Sequence, residues 1–336
     1  MSWPKISMIW LNYNSERNID IVVESLSSLF DVDYPRYEII IVDNGSTDRS
    51  PHIINKWLNK NKSASKSRYK FIRLTTNRGF TGGNNVGFRF RDKDSKYISL
   101  VNNDFIINKD SLRRLIEIFE QHDWIGGMQG IIARWDGRIV ANMGLLVDEL
   151  LLAHAIYAGY PVTSVSKPRV CTFVSGAFSI YRVDYILDVM GGDRIFDDIM
   201  FAYFDDMILG MRMWSHNYAM VGVPVFSGRH YSSLSFGRCS PFQIYLISRA
   251  SFVMGSILKK YRYKDLSPLI RILHHLNKCN KLNLNYKMMD YIYSIYKAYQ
   301  FKRRIMKCLN NIVDFSKVPI MKYNYLKRLF YNRLII

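Results

Sequence analysis

Acidic and amide side chains recur along the first half of this chain, each just after an apolar run. Asn12-Tyr13-Asn14 follows Ile6–Leu11, Asp43 follows Glu38–Val42, and Asn102-Asn103-Asp104 follows Tyr97–Val101. A carboxylate in such a place can accept hydrogen bonds from N–H groups or hold a hard divalent cation, which prefers carboxylate oxygen. Further on, Asp205 and Asp206 are adjacent at the head of a helical run with Met207, Leu209, Met211 and Trp214. Neighbouring carboxylates repel, which raises at least one pKa and poises a proton acceptor near neutral pH. Both features have a plainer reading, because Asp and Asn are ordinary turn residues and acids suit the positive end of a helix dipole. Three polar motifs converging on one sheet edge favour a site over three unrelated turns.

The elements that carry these motifs alternate. Ile6–Leu11, Glu38–Val42, Lys70–Leu74 and Tyr97–Val101 read as buried strands, and Ile19–Phe30 as an amphipathic helix. Ser50 predicts a cap with Pro51 at the first helical position, and Ile53, Ile54, Trp57 and Leu58 form one apolar face. Thr76–Gly83 reads as a Gly-rich loop leading to a helix through Val86 and Phe90. Asp110 or Ser111 caps another helix, with Leu112, Leu115, Ile116 and Phe119 facing inward. This β-α-β-α order predicts an α/β fold with a doubly wound, mostly parallel sheet, whose ligands bind beyond the carboxyl ends of the strands. A dinucleotide fingerprint is missing: the first βα turn lacks GxGxxG, and Gly79-Phe80-Thr81-Gly82-Gly83 follows the third strand instead. The P-loop pattern is absent too.

Composition sets the wider frame. The 336 residues allow two domains, or one large α/β domain with an appendage, and 49% hydrophobic residues exclude wholesale disorder. Of the net charge of +19, residues 241–336 hold nearly all, with 19 basic against 3 acidic side chains, a net of +16. That shift predicts a body over 1–240 and a basic, aromatic-rich helical region over 241–336. Tyr286, Tyr291, Tyr293, Tyr296, Tyr299 and Phe301 precede Lys302, Arg303 and Arg304. Basic and aromatic residues at helical spacing suit an anionic lipid surface, where each Lys or Arg contributes about 1 kcal/mol. The plain alternative is a helical appendage packed on the body with a solvated basic rim. Nucleic acid is the weaker partner, since no helix-turn-helix or RNA-binding signature accompanies the charge. No secretory signal and no apolar run of about 18 residues is read, so the expected place is the cytoplasm, with peripheral attachment to the cytoplasmic face of a membrane. Four scattered cysteines without a CxxC pair argue against a disulfide framework or a zinc site.

Order and spacing of the motifs carry a resemblance. Asn12-Tyr13-Asn14, Ile41-Val42-Asp43-Asn44-Gly45-Ser46-Thr47-Asp48, Asn77-Arg78-Gly79-Phe80-Thr81-Gly82-Gly83-Asn84-Asn85 and Asn102-Asn103-Asp104 resemble the family 2 inverting glycosyltransferases of GT-A fold. The variant is similar to the rhamnosyltransferase-like branch. The resemblance continues through Ser175-Gly176-Ala177, Tyr203-Phe204-Asp205-Asp206, Arg212, Pro224 and His230, and covers roughly residues 5–237. It implies a UDP- or dTDP-sugar donor, with Asp43 on the base and Asn12, Asn14, Arg78, Gly83, Asn102 and Asn103 lining the same pocket. It implies Mg2+ or Mn2+ at Asp104, with His230 as a second contact. Asp206 falls at the general-base position, Asp205 beside it, and Gly176, Asp197 and Asp198 on the acceptor side. The reaction so implied is one in-line displacement with inversion, onto a glycan, lipid-linked or protein acceptor. Two departures stand out: Asn102 replaces the first acid of the metal motif, and Ile208 occupies a position where a third acid is frequent. They leave open a nucleotide-sugar-binding module of impaired catalysis. A nucleotidyltransferase fits less well, because such enzymes place a Gly-rich basic loop where Asn12-Tyr13-Asn14-Ser15 stands.

Overall fold

The computed structural model describes residues 3–61, 68–231, 239–280, 288–306, 309 and 312–322. Tyr286, Cys308 and residues 232–238 lie outside them. The chain opens with β1 (Ile6–Asn12), α1 (Ile19–Phe30), β2 (Tyr37–Asp43), α2 (Ser50–Asn61), β3 (Arg68–Arg73), α3 (Gly79–Arg89) and β4 (Tyr97–Asn102). It continues through β5 (Phe105–Ile107), α4 (Ser111–Glu120), β6 (Ile125–Ala133), β7 (Val140–Asn142), β8 (Leu145–Asp148), β9 (Ala153–Ala155), β10 (Arg169–Cys171) and β11 (Phe178–Arg182). After α5 (Val183–Met190), α6 (Asp205–Ser215) and β12 (Ala219–His230), the last part holds α7 (Pro241–Ile257), β13 (Leu258–Lys259), α8 (Leu266–Asn280), α9 (Met288–Met306), β14 (Val313–Asp314) and β15 (Ile320–Met321).

The main sheet runs β10-β12-β6-β11-β4-β1-β2-β3, with β5 on β12 and β7 on β6. β1 pairs in parallel with both β2 and β4, while β11 enters antiparallel between β4 and β6. Ile6, Met8, Ile9 and Trp10 of β1 are all fully buried, as a central strand covered by helices on both faces requires. Strand order reverses between β1 and β4, and in open α/β sheets ligands bind at such a switch point. The register there sets Asn12 against Asp43 and Leu11 against Asn102, so the expected polar motifs end level with one another.

Three local expectations are corrected. The glycines at 79–83 form the first turns of α3 and not a loop. They are small because a helix presses close to the sheet: a Cβ on Gly83 would lie 2.5 Å from Leu11, and one on Gly87 2.6 Å from Ile9. At α2 the capping acceptor is Asp48, whose Oδ1 receives the Ser50 N–H at 3.1 Å. Finally, Cys239 and Cys279 are joined as a disulfide, a pairing hidden by 40 residues of separation.

The basic region folds onto the body. Ala250, Val253 and Met254 of α7 share a hydrophobic cluster with Met207, Ile208 and Met211 of α6, and β15 extends the small β8–β9 sheet. Its positive charge is not confined to a solvated rim, since Arg249 and Arg271 are buried. Among the described residues no helix is long and apolar enough to cross a membrane.

Candidate active site

The site is assembled where β1, β2 and β4 end. Asn12 donates from Nδ2 to Asp43 Oδ1 at 3.0 Å, and its Oδ1 accepts from Asn103 Nδ2 at 3.3 Å. Asp43 is fully buried. Its carboxylate also takes the Ser46 hydroxyl at 2.6 Å and lies 3.5 Å from Arg73 Nε. That set pins the turn through Gly45 and leaves Asp43 as a back wall. Asn14, with φ of 44°, is exposed in front of it, and its Oδ1 accepts the Thr47 N–H at 2.8 Å. Arg78 is exposed at the head of α3, held through its backbone N–H to Asn44 Oδ1 at 3.0 Å. Gly83 is packed against Leu11 and Asn44 beneath this surface.

Asp104 and His230 meet although 126 residues separate them. β5 follows Asp104 at once and pairs with the end of β12, setting His230 opposite Phe105. His230 Nε2 then lies 2.8 Å from Asp104 Oδ1, and the Tyr231 N–H donates to the Asp104 carbonyl at 3.0 Å. One carboxylate beside one imidazole is a sparse donor set for Mg2+ or Mn2+, of the kind that substrate phosphates and water complete. The residues present therefore fit a divalent cation held jointly with a phosphorylated ligand.

Asp206 is tied to the same rim. The Asn102 N–H donates to the Ala177 carbonyl at 3.0 Å, and next along that loop the Gly176 N–H donates to Asp206 Oδ2 at 3.1 Å. Asp206 Oδ1 takes its second bond from the Met207 N–H at 2.8 Å. Consecutive helical residues point about 100° apart, so the two acids diverge. Asp206 is partly exposed toward the rim, whereas Asp205 is buried over a small interior cleft lined by Asp197, Leu209 and Arg212. Burial, and then the charge of Asp206, push the Asp205 carboxyl up to about 8. Burial raises Asp206 as well. Such a pair shares its titration, one member holding a proton near neutral pH.

The approach to the pair is strained. Phe201, Tyr203 and Phe204 have φ of 63°, 72° and 59°, conformations that cost about 1–3 kcal/mol each and need external support. Support comes from three sides. The Thr81 N–H donates to the Phe201 carbonyl at 3.1 Å. Gln243 Nε2 of α7 donates to Tyr203 Oη at 2.8 Å, and the Arg249 guanidinium to the Met200 carbonyl. From α8, Arg271 stacks 5.3 Å over the Phe204 ring.

The remaining expected residues sit elsewhere around this core. Asp197 is buried and its carboxylate meets Arg212 at 2.6 Å. Asp198 is exposed but bonded to Asn85 Nδ2 at 2.6 Å. Both fix the 195–200 segment to α3 and α6. Sequence reasoning passed over Gln129, fully buried, whose Oε1 accepts the Ser175 N–H at 2.6 Å and shapes the Gly176 turn. It also passed over Gln243 and Arg249, which stand beyond the motifs. A polar residue alone among apolar neighbours in β6 was the one visible signal for Gln129.

A family model described as glycosyl transferase family 2 matches residues 7–189. The poly-beta-1,6-N-acetyl-D-glucosamine synthase of Staphylococcus epidermidis is 26% identical over 200 residues, 59% of this chain and 45% of that protein. The chain thus spans less than half the length of that relative. Among solved structures, S. aureus TarS 1–349 in complex with UDP-GlcNAc is 20% identical, with a TM-score of 0.55 over 91% of this chain and 84% of that one. The mannosyltransferase PcManGT from Pyrobaculum calidifontis, in complex with GDP-Man and Mn2+, has a TM-score of 0.55 at 14% identity, over 93% and 85% of the two chains. Both likenesses concern the fold.

Proposed function

The chain belongs to glycosyl transferase family 2, and on that premise we propose that it moves a sugar from a nucleoside diphosphate donor to an acceptor hydroxyl with inversion at the anomeric carbon. The observation that carries this reading is the hydrogen-bonded path along one rim: Asp43 to Asn12 to Asn103, then Asp104 with His230, and Asn102 through Ala177 and Gly176 to Asp206. Asn12, Asn14, Asp43 and Arg78 form the nucleotide side. Asp104 and His230 would hold the cation, whose charge, when bound, offsets that developing on the diphosphate. Asp206 takes the acceptor's proton on its carboxylate, whose Oδ2 and Oδ1 the Gly176 and Met207 N–H groups respectively hold in place. Asp205, buried and biased toward its neutral form, keeps the pair from carrying two charges. No second acid is needed to protonate the leaving group, in contrast to a glycosidase.

The rhamnosyltransferase-like branch of the resemblance keeps dTDP-sugars beside UDP-sugars as donors. Release of nucleoside diphosphate, measured with both series and candidate glycan and lipid-linked acceptors, tests the reading. Turnover with at least one pair supports it. Donor binding without turnover for any pair favours the impaired module that Asn102 and Ile208 suggest.

In the same proposal residues 1–240 carry the chemistry, and 241–336 brace it and bring it to an anionic membrane surface. Leu269 and Leu273 stand exposed one turn apart on α8, as do Ile292 and Tyr296 on α9, an outward apolar stripe among basic residues. Flotation with anionic vesicles should recover the full chain, and Leu269→Glu with Leu273→Glu should weaken recovery. Equal recovery of both proteins would count against the membrane surface.

A further inference from the structure

Away from the rim, the turn before α7 and the end of α8 bring three metal-binding side chains together. The ligand atoms of Cys239, His275 and Cys279 lie within 4.8 Å of one another. His275 and Cys279 stand four apart on α8, the spacing that stacks side chains on one helix face. Cys239 is held across from them by its carbonyl, which accepts from Tyr291 Oη at 3.2 Å. Ile244, Leu276 and Tyr291 close an apolar shell around the two sulfurs. Inside it, His275 Nε2 is buried with no hydrogen-bond partner among the described residues, an arrangement that folded proteins avoid unless something binds there.

A disulfide alone gives that nitrogen nothing to bind. We propose that, once the disulfide is reduced to two thiols, Cys239, His275 and Cys279 form a zinc site, with water in the remaining position. Two thiolates and an imidazole are a common zinc donor set. Tetrahedral bonds of about 2.3 Å to sulfur and 2.0 Å to nitrogen set the donor atoms roughly 3.5–3.8 Å apart; all three donors already lie within 4.8 Å of one another, and the two sulfurs, bonded here, have to part once the disulfide opens. A dithiol, or a phosphine together with water, supplies the two electrons and two protons that turn the disulfide into two thiols, zinc binding releases both thiol protons, and neutral His275 gives a lone pair. The site locks the end of α8 to the start of α7. It also lies behind the strained loop, since the Cys239 N–H donates to Gln243 Oε1 at 2.6 Å, and Gln243 holds Tyr203.

This inference does not rest on transferase chemistry. Full-length protein, reduced with a phosphine in metal-free buffer and titrated with Co2+, tests it through the near-ultraviolet charge-transfer band of cobalt–thiolate bonds. A carboxylate–imidazole pair such as Asp104 and His230 gives no such band. The expected result is a band that saturates at one equivalent, disappears on adding Zn2+, persists in His230→Ala and is absent from the oxidised protein. His275→Gln, which keeps both thiols, should weaken Co2+ binding at least about tenfold, and Cys279→Ser should abolish the band. A reduced protein without the band, or His275→Gln binding with unchanged affinity, overturns the proposal. If Cys279→Ser fails to fold, His275→Gln decides alone.

Discussion

Two carboxylate clusters, one at each end of the central sheet, are held in opposite ways. At the amino end, Asp92 is clamped by Lys5 and by Lys70 at 2.6 Å, and Glu38 is paired with the same Lys70 at 2.7 Å. Hydrogen bonds from Lys5 and then Lys70 hold the Asp92 carboxyl down to about 2. At the carboxyl end, the Asp206 carboxylate is bonded by two backbone N–H groups, and the nearby guanidinium of Arg212 is spent on Asp197. There burial pushes Asp205 up to about 8. Residue type is the same and partners decide the outcome. Lysines neutralise the first pair within the fold, whereas Asp205 and Asp206 have no cationic side chain paired with them among the described residues, and strongly shifted acids of that kind are candidates for proton transfer.

Breaking the carboxyl end should cost activity first. Asp206→Asn is expected to lower kcat about 10²–10⁴-fold with little change in donor KM, measured by steady-state release of nucleoside diphosphate. In the wild type, the acid limb of the kcat profile should lie above the usual carboxylate range, because burial raises the proposed base. An acid limb near pH 4 would contradict that. Asp104→Asn should raise the Mn2+ concentration for half-maximal rate at least about tenfold, read from metal titrations of the same assay. Breaking the amino end should cost stability alone. Asp92 is a group whose folded pKa is depressed, so its contribution is present above pH 4 and is lost as pH falls toward 2. Asp92→Asn should therefore remove about 1–2 kcal/mol at pH 7 after allowance for its partial exposure, lowering Tm by a few degrees with kcat unchanged. Asp205 has the opposite sign. Its raised pKa makes the folded state lose stability as pH rises from about 4 to about 8, so Asp205→Asn should raise Tm slightly at pH 9 while reducing kcat.

Elements of the fold and the adjacent acids Asp205 and Asp206 were legible from local pattern, whereas the lysine-clamped Asp92 and Glu38 were not. The runs Ile6–Leu11 and Ile19–Phe30 became β1 and α1 because burial on both faces and helical periodicity leave clear traces over a dozen residues. The family resemblance, not local pattern, set His230 beside the ligand expected at Asp104, and the two side chains are 2.8 Å apart. The Gly79–Gly83 stretch misled because glycine usually marks a loop, while here it admits a helix against Leu11. What spacing does not encode is contact over long separations. The Cys239–Cys279 bond, the Gln129 support of the Gly176 turn and the bracing of Met200 and Tyr203 by Arg249 and Gln243 all join segments 40 or more residues apart. Each depends on how α7, α8 and β6 pack, which no single stretch of sequence records.

A structure of the chain with UDP and Mn2+ bound would bear most directly on the proposed chemistry. The ion is expected in contact with Asp104 and His230, the uracil near Asp43 and Asn14, and a gap wide enough for a sugar between the diphosphate and Asp206. A nucleotide bound away from the ends of β1, β2 and β4, or an ion that touches neither Asp104 nor His230, would contradict the account.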